Sequence, residues 1–145
     1  MKRSLLAIAF VAASLPAFAQ MSPAGLWKTI DDETKKEKSL VRIKDVNGVF
    51  SGTVEKFLDP TTKVDEVCDK CTDDRKDKPV LGMTIIRNIK ASADDKGIWD
   101  GGDVLDPNNG KVYKVRLTPK DGGKTLEVRG FVGFLYRNQT WQRVE

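Results

Sequence analysis

The stretch SLVRIKDVNGVFSGTVEKF (39–57) decides the fold. Val41 and Ile43 alternate with basic residues, which is the period-two pattern of a half-buried β-strand. Asn47-Gly48 follows, and both residues tolerate the positive φ that a two-residue hairpin turn requires. A second segment of the same kind comes directly after the turn. The stretch therefore predicts an antiparallel hairpin with one apolar face.

The same kind of segment recurs along the chain, separated by Gly, Asn, Asp and Pro. The predicted strands span residues 25–31, 39–45, 49–57, 80–90, 97–105, 111–118, 124–132 and 135–144. About eight short strands predict an all-β domain, in which a single antiparallel barrel closes on itself and so removes exposed strand edges. The alternative is a two-sheet β-sandwich, because the spacing of the strands fits both architectures.

The two ends of this strand series carry related motifs. Gly25-Leu26-Trp27 opens the first strand and Trp141-Gln142-Arg143 closes the last. This arrangement resembles that of the calycins, the lipocalins and their relatives, in which the indole of a G-x-W motif lies across the barrel floor beneath a basic residue. A guanidinium over an indole gains about 0.5–2 kcal/mol. The resemblance implies that Trp27, Trp141 and Arg143 close one end of a barrel; the alternative is a core tryptophan beside an unrelated arginine.

A wider resemblance covers nearly the whole chain after residue 20. Its pieces, in order, are GLWKTID, SLVRI, CDKC, KDKPVLGM, WDGG, LDPNNGKVYK, LEVRGFVGF and TWQR. This series resembles a family of exported bacterial proteins, domain of unknown function 2147. The resemblance implies a small calycin-like barrel in the cell envelope. It implies no established activity and no catalytic residues.

A long polar loop, residues 58–79, interrupts the strand series and carries both cysteines, Cys68 and Cys71. Structural zinc needs four Cys or His ligands, and this chain has no histidine, so we expect no metal site. A redox-active C-x-x-C usually lies at a helix N-terminus, which stabilises the thiolate, and no such helix is predicted here. An exported compartment oxidises paired thiols. We therefore expect a local disulfide that shapes the loop.

The chain begins with the features of a secretory signal peptide. Lys2 and Arg3 precede an apolar stretch, and Ala17-Phe18-Ala19 forms an A-x-A cleavage site. We expect cleavage after Ala19, so that residues 1–19 are the signal and 20–145 a single periplasmic or secreted β-barrel domain. The 25 basic and 21 acidic residues are interleaved, and the signal holds two of the basic ones. A net charge near +2 without a basic stripe argues against nucleic-acid binding.

The residue types present exclude several kinds of catalysis. Without histidine, Ser-His-Asp and Cys-His mechanisms are impossible, and no phosphate-binding glycine motif occurs. Carboxylate pairs remain as a basis for a hydrolase, the least favoured hypothesis. The acidic candidates are Asp31, Asp32, Glu55, Asp100, Asp103 and Asp106. We expect a protein that is not an enzyme and needs no cofactor.

The favoured hypothesis is a barrel that binds a small amphipathic or lipidic molecule. Large side chains on the predicted strands line either a ligand cavity or a solid core, and an eight-stranded barrel has room for both arrangements. Arg42 or Arg129 would fix an acidic group of the ligand. Each alternates with apolar residues along its strand, so either these arginines lie on the outer wall or the interior is unusually polar. The alternative function is an envelope interaction or maintenance module that uses the loop 58–79. The candidate lining residues are Phe50, Met83, Trp99, Tyr113 and Phe131.

Overall fold

The structure is a computed structural model that describes residues 21–145. The predicted signal peptide, residues 1–19, lies outside the described residues. No helix in the described part of the chain is both long and apolar enough to cross a membrane.

Eight antiparallel strands form a closed barrel in which each strand pairs with its neighbour in sequence. The ring is completed by β1 and β8, where Trp27 lies opposite Arg143 and Lys28 opposite Gln142. The all-β barrel expectation is confirmed, and the alternative β-sandwich is wrong. The strands are β1 (Gly25–Ile30), β2 (Glu37–Val46), β3 (Val49–Phe57), β4 (Thr84–Ala91), β5 (Trp99–Asp106), β6 (Lys111–Lys120), β7 (Thr125–Val132) and β8 (Leu135–Arg143).

The strand bounds follow the sequence pattern closely. Asn47 and Gly48 adopt φ values of 53° and 84°, so they form the predicted tight turn between β2 and β3. The main difference is β4, which begins at Thr84 rather than at residue 80. Gly82 has a φ of 84° and its N–H donates to the Val54 carbonyl at 2.8 Å, so residues 80–83 form a turn against β3. The long loop therefore spans 58–83.

Because consecutive strands run in opposite directions, the connections fall into two groups. The closed end carries the start of β1, the end of β8 and the turns 47–48, 92–98 and 121–124. The open end carries the connections 31–36, 58–83, 107–110 and 133–134. Between them, inward side chains such as Ile43, Ile86 and Leu117 are almost completely buried and form the core.

Trp27 closes one end of the barrel. Its side chain is completely buried, and its indole Nε1 donates to the Pro23 carbonyl at 2.8 Å. The Arg143 guanidinium lies 4.2 Å from the centre of the indole ring. Gly25 is required here, because its φ is 141° and a Cβ at this position would lie 2.7 Å from the Glu145 backbone carbonyl oxygen. Trp27 and Arg143 thus meet as the calycin resemblance implied. Trp141, which was expected to share this closure, instead lines the cavity in the other half of the barrel.

Arg143 also ties three segments of the closed end together. Its Nη1 donates to the Ala24 carbonyl at 2.7 Å and its Nη2 to the Ser22 carbonyl at 2.8 Å. Its Nε donates to the Gly123 carbonyl on the β6–β7 turn. Burial lowers the pKa of Arg143, but an arginine keeps its charge in proteins. Arg143 therefore provides hydrogen-bond donors to three backbone carbonyls at this end.

Candidate functional site

A cavity of about 870 Å³ occupies the open end of the barrel. It is lined by inward residues from the halves of the strands nearest the open end and by parts of the connections 31–36 and 107–110. Along β8 the lining side chains run from Leu135 at the rim to Trp141, which lies deepest along this strand and is buried. Trp141 therefore forms part of the cavity base, whereas Trp27 seals the closed end of the barrel.

Much of the cavity wall is apolar. Ile85, Val104 and Val128 contribute aliphatic side chains from three strands. Gly130 on β7 leaves the space that a larger inward residue would fill. A Cβ at this position would lie 3.6 Å from Tyr113 Cβ, an ordinary van der Waals distance. The absence of a side chain at Gly130 therefore helps to keep the upper barrel hollow.

A few hydrogen-bonded polar groups interrupt this apolar wall. The hydroxyls of Thr29 and Ser39 lie 2.9 Å apart, on adjacent strands β1 and β2. The Trp141 indole N–H donates to Gln139 Oε1 at 2.9 Å. The Tyr113 hydroxyl accepts a hydrogen bond from Asn109 Nδ2 at 3.0 Å. These internal bonds hold the polar groups in fixed positions, which suits recognition of a ligand with a defined polar part.

Charged residues surround the mouth of the cavity. Arg137 on β8 donates to Asp32 Oδ2 at 2.6 Å and contacts Glu33 Oε1 at 3.3 Å, so it joins β8 to the connection 31–36. Lys38 Nζ lies 3.0 Å from Asp59 Oδ2 at the start of the long loop. These ion pairs link β8 to the connection 31–36 and β2 to the long loop.

The structure brings Tyr113, alone among the five predicted aromatic and methionine residues, to this cavity. Phe50 and Met83 are buried in the core. Trp99 packs edge-on against Phe50 with ring centres 6.2 Å apart. Phe131 lies in a separate groove of about 380 Å³ on the outer wall, where the Arg116 guanidinium is 5.5 Å from its ring centre. The prediction that these four line the cavity is wrong, because three of them fill other space in the barrel and Phe131 faces outward.

The prediction that Arg42 or Arg129 fixes an acidic group of a ligand inside the barrel is also wrong. Arg42 lies on the outer wall, where it pairs with Glu55 and, at 2.7 Å, with Glu145. Arg129 stacks over the Tyr136 ring on the outer face, 4.2 Å from its centre. The physical reason is strand alternation, since inward Val41, Ile43 and Val128 force the neighbouring arginines outward.

Several lining residues escaped the sequence interpretation because it concentrated on large aromatic side chains. Thr29, Ser39 and Gln139 share the inward face with apolar neighbours two residues away, which are Trp27, Val41 and Trp141. They could have been found by looking for a small or polar residue that lies two positions along a strand from an inward apolar residue, near the open end. Gly130, two residues after the inward Val128, meets the same description.

The disulfide expectation is confirmed, with Cys68 and Cys71 joined by an S–S bond of 2.00 Å. Both cysteines are buried, although their loop is largely polar. Gly110 of the β5–β6 turn contacts this ring so closely that a Cβ there would lie 1.9 Å from the Lys70 carbonyl oxygen. The neighbouring turn residues Pro107 and Asn109 line the cavity. The disulfide ring therefore supports one wall of the cavity from behind.

Arg75 anchors the second half of the long loop. Its side chain is buried, its Nη1 donates to the Thr84 carbonyl at 2.9 Å, and its Nη2 lies 2.6 Å from Asp73 Oδ2. Hydrogen bonds from Arg75 lower the pKa of Asp73 to about 2. Asp74 makes a two-point pair with Arg87 on β4, with both N–O distances at 3.0 Å. The loop is thus tied to β4 as well as to the β5–β6 turn.

The carboxylates considered for hydrolysis are divided between different surfaces. Asp31, Asp32 and Asp106 lie at the cavity mouth, Glu55 pairs with Arg42 outside, and Asp100 lines the outer groove. Asp103 lies opposite Lys114 in the β5–β6 register. Within residues 21–145, no three Cys, Asp or Glu side chains converge in a group that could hold a metal ion.

Comparison with solved structures finds a protein of similar fold. Protein HP1028 from the human pathogen Helicobacter pylori, which belongs to the lipocalin family, superimposes with a TM-score of 0.71. The match covers 86% of this chain and 84% of that chain at 20% sequence identity. At this identity the likeness establishes the lipocalin-like barrel. No curated protein matches the chain significantly.

A family model described as "Uncharacterized protein conserved in bacteria (DUF2147)" matches residues 25–143, from the first residue of β1 to the last of β8. The matched segment therefore contains the whole barrel, both terminal motifs and the disulfide loop. The chain belongs to this family of bacterial proteins, DUF2147.

Proposed function

We propose that this protein is a non-enzymatic barrel that binds a small amphipathic or lipidic molecule in the cavity at its open end. The observation that carries the proposal is a hollow of about 870 Å³ in a barrel whose other end is sealed by Trp27 and Arg143. Ligand pockets usually measure about 300–1,000 Å³. One open mouth above a blocked floor favours a bound molecule over a channel.

The distribution of polarity within the cavity supports an amphipathic ligand. Much of the wall is aliphatic and indole surface, including Val104, Val128 and Trp141. The hydroxyl groups of Thr29 and Ser39 interrupt this surface, and charged residues such as Asp32 and Arg137 surround the mouth. An apolar portion would therefore enter first and a polar end would remain at the rim. The lipocalin-like fold agrees with this proposal by analogy.

The proposed location is the periplasm or the extracellular space. The N-terminal residues have the order of a secretory signal, and the Cys68–Cys71 disulfide suits an oxidising compartment. N-terminal sequencing of protein recovered from the periplasmic or secreted fraction would give a chain beginning at Gln20. Full-length protein confined to the cytosolic fraction would refute the proposed location.

Native mass spectrometry tests the binding function directly. The protein is purified without denaturation from the envelope of its source cells, and we expect a bound species of reproducible mass that organic extraction releases. A Gly130→Leu variant, whose side chain enters the cavity, is the matched control and should lack that species. If every preparation is empty and no amphipathic probe binds in calorimetry, the proposed function is wrong.

A further inference from the structure

The charges at the cavity mouth are unequally balanced. Carboxylates of the lining residues come from the connection 31–36 and from the end of β5, whereas the lining holds two cations, Lys38 and Arg137. Lys35 and Lys36 belong to the same connection but are exposed and do not line the cavity. The lining carboxylates are Asp31, Asp32, Glu33 and Asp106.

Both lining cations are already engaged by carboxylates. Arg137 lies between Asp32 and Glu33, at 2.6 and 3.3 Å, and its hydrogen bond with Asp32 raises its pKa. Lys38 lies 3.0 Å from Asp59, a carboxylate outside the lining. Within the lining, four carboxylates against two cations leave a formal charge of −2. Among the lining residues, an anionic ligand would find a positive partner only by displacing an existing ion pair.

Two of the carboxylates have partners that hold them in place without neutralising them. Asp31 Oδ1 accepts backbone N–H groups of Thr34 and Glu33 at 2.7 and 2.9 Å, and these bonds lower the pKa of Asp31. Asp106 Oδ1 accepts the Asn108 N–H at 2.9 Å. Neither carboxylate forms an ion pair among residues 21–145 within 4 Å. Their charges therefore remain available to a ligand at the mouth.

We infer that the cavity selects amphipathic molecules whose polar end is cationic, such as an amine or a quaternary ammonium group on an apolar body. This inference rests on the proposed binding function and names its ligand class. The apolar body lies against Val104, Val128 and Trp141, and the cation stays at the rim beside Asp31 and Asp106. Arg42 and Arg129 lie on the outer wall, and Arg137, which lines the cavity, is already paired with Asp32 and Glu33.

Three probes with the same decyl chain separate the charge preference from apolar binding. Decyltrimethylammonium, decyl maltoside and decyl sulfate are titrated into the purified protein by calorimetry, each below its micelle concentration. We expect the ammonium probe to bind about tenfold tighter than the sulfate, which corresponds to about 1.4 kcal/mol, with the maltoside between them. Added salt should narrow this ratio, because the mouth is open to solvent.

A double variant, Asp31→Asn with Asp106→Asn, tests the named carboxylates. Asparagine keeps the side-chain oxygen that accepts the backbone N–H groups, so the turns should survive and a thermal melt should confirm it. We expect the ammonium-to-sulfate ratio to fall at least threefold while maltoside binding is unchanged. The Arg137→Gln variant removes a lining cation and should raise the ratio instead.

Failure of the charge inference and failure of the binding function give different results. If the maltoside binds but the sulfate binds as well as or better than the ammonium, the charge inference is wrong and the binding function stands. The charge inference is also wrong if the double variant leaves the ratio unchanged. If none of the three probes binds to the folded protein, the proposed function fails and the charge inference fails with it.

Discussion

Filling the cavity from Gly130 should abolish ligand binding without harming the fold. Gly130 lies on the inward face of β7, opposite Val115 in the register, and does not require positive φ. An added Cβ would meet Tyr113 Cβ at 3.6 Å and Tyr113 Cγ at 3.9 Å, both ordinary contacts. A Gly130→Leu side chain can therefore leave the strand without a backbone clash and extend into the hollow.

The expected loss of affinity follows from the space that the leucine takes. Its four side-chain carbons exclude about four methylene groups of a bound chain, each worth about 0.8 kcal/mol on transfer from water. The sum is about 3 kcal/mol, or roughly 100-fold in dissociation constant. The free energy of unfolding of the Gly130→Leu variant should stay the same or rise slightly, because glycine in a strand loses more conformational entropy on folding than other residues do.

Calorimetric titration of decyl maltoside into wild-type and variant protein measures this effect, with a urea denaturation curve for each. Thr140→Leu places the same side chain on the outer face of β8, opposite Glu127, and should bind the probe normally. Gly52→Leu is a contrasting control, because its Cβ would lie 3.1 Å from Ile86 Cβ and it should destabilise the barrel. A folded Gly130→Leu protein that binds within twofold of wild type would refute the assignment of this cavity as the ligand site.

Three further predictions concern the closed end and the long loop. Arg143→Ala removes the cation over Trp27 and the donors to three carbonyls. We expect the free energy of unfolding, measured by urea denaturation, to fall by about 2–5 kcal/mol, and Arg143→Met to recover little of it. A fall below about 0.5 kcal/mol would contradict the closure role. Replacing Cys68 and Cys71 together by serine should lower the free energy of unfolding by at most about 3 kcal/mol. Hydrogen exchange should nevertheless become faster at the amides of 58–83 and 107–110. If exchange at those amides is unchanged, the disulfide does not support the cavity wall. The pKa of Asp73 is lowered to about 2, so the folded state gains stability that is present above the unfolded pKa near 3.8 and lost as the pH falls through 2. The free energy of unfolding of an Asp73→Asn variant should therefore depend less on pH between 4 and 2. An unchanged pH dependence in this range would argue against the pairing with Arg75.

The strand pattern was predictable because side-chain parity is a local property. Val41 and Ile43 share a face by period two, and Asn47-Gly48 fixes the hairpin that joins β2 to β3. The same parity explains why Arg42 and Arg129 face outward. The local sequence also predicted the disulfide, since two cysteines three residues apart can reach each other in almost any turn. These features require no knowledge of distant parts of the chain.

The cavity required information that no single segment contains. Phe50, Tyr113 and Trp141 all point inward on their strands, yet only the register of neighbouring strands decides how deep each one lies in the barrel. Phe50 fills the core, Tyr113 lines the hollow, and Trp141 forms part of the base of that hollow. Strand parity therefore identifies inward positions without ranking them by depth, and the prediction also included Phe131, which faces outward.

The sequence by itself determined the eight strands, the turns between them, the paired cysteines and the two terminal motifs, because each depends on residues close together in the chain. Only the tertiary structure decided that the upper barrel is hollow, that Trp141 borders this hollow while Trp27 seals the closed end, and that carboxylates outnumber cations at the mouth. The depth of a side chain and the volume of the cavity arise from packing between strands that are distant in sequence. The net charge of the mouth is the sum over connections that come together only when the barrel closes.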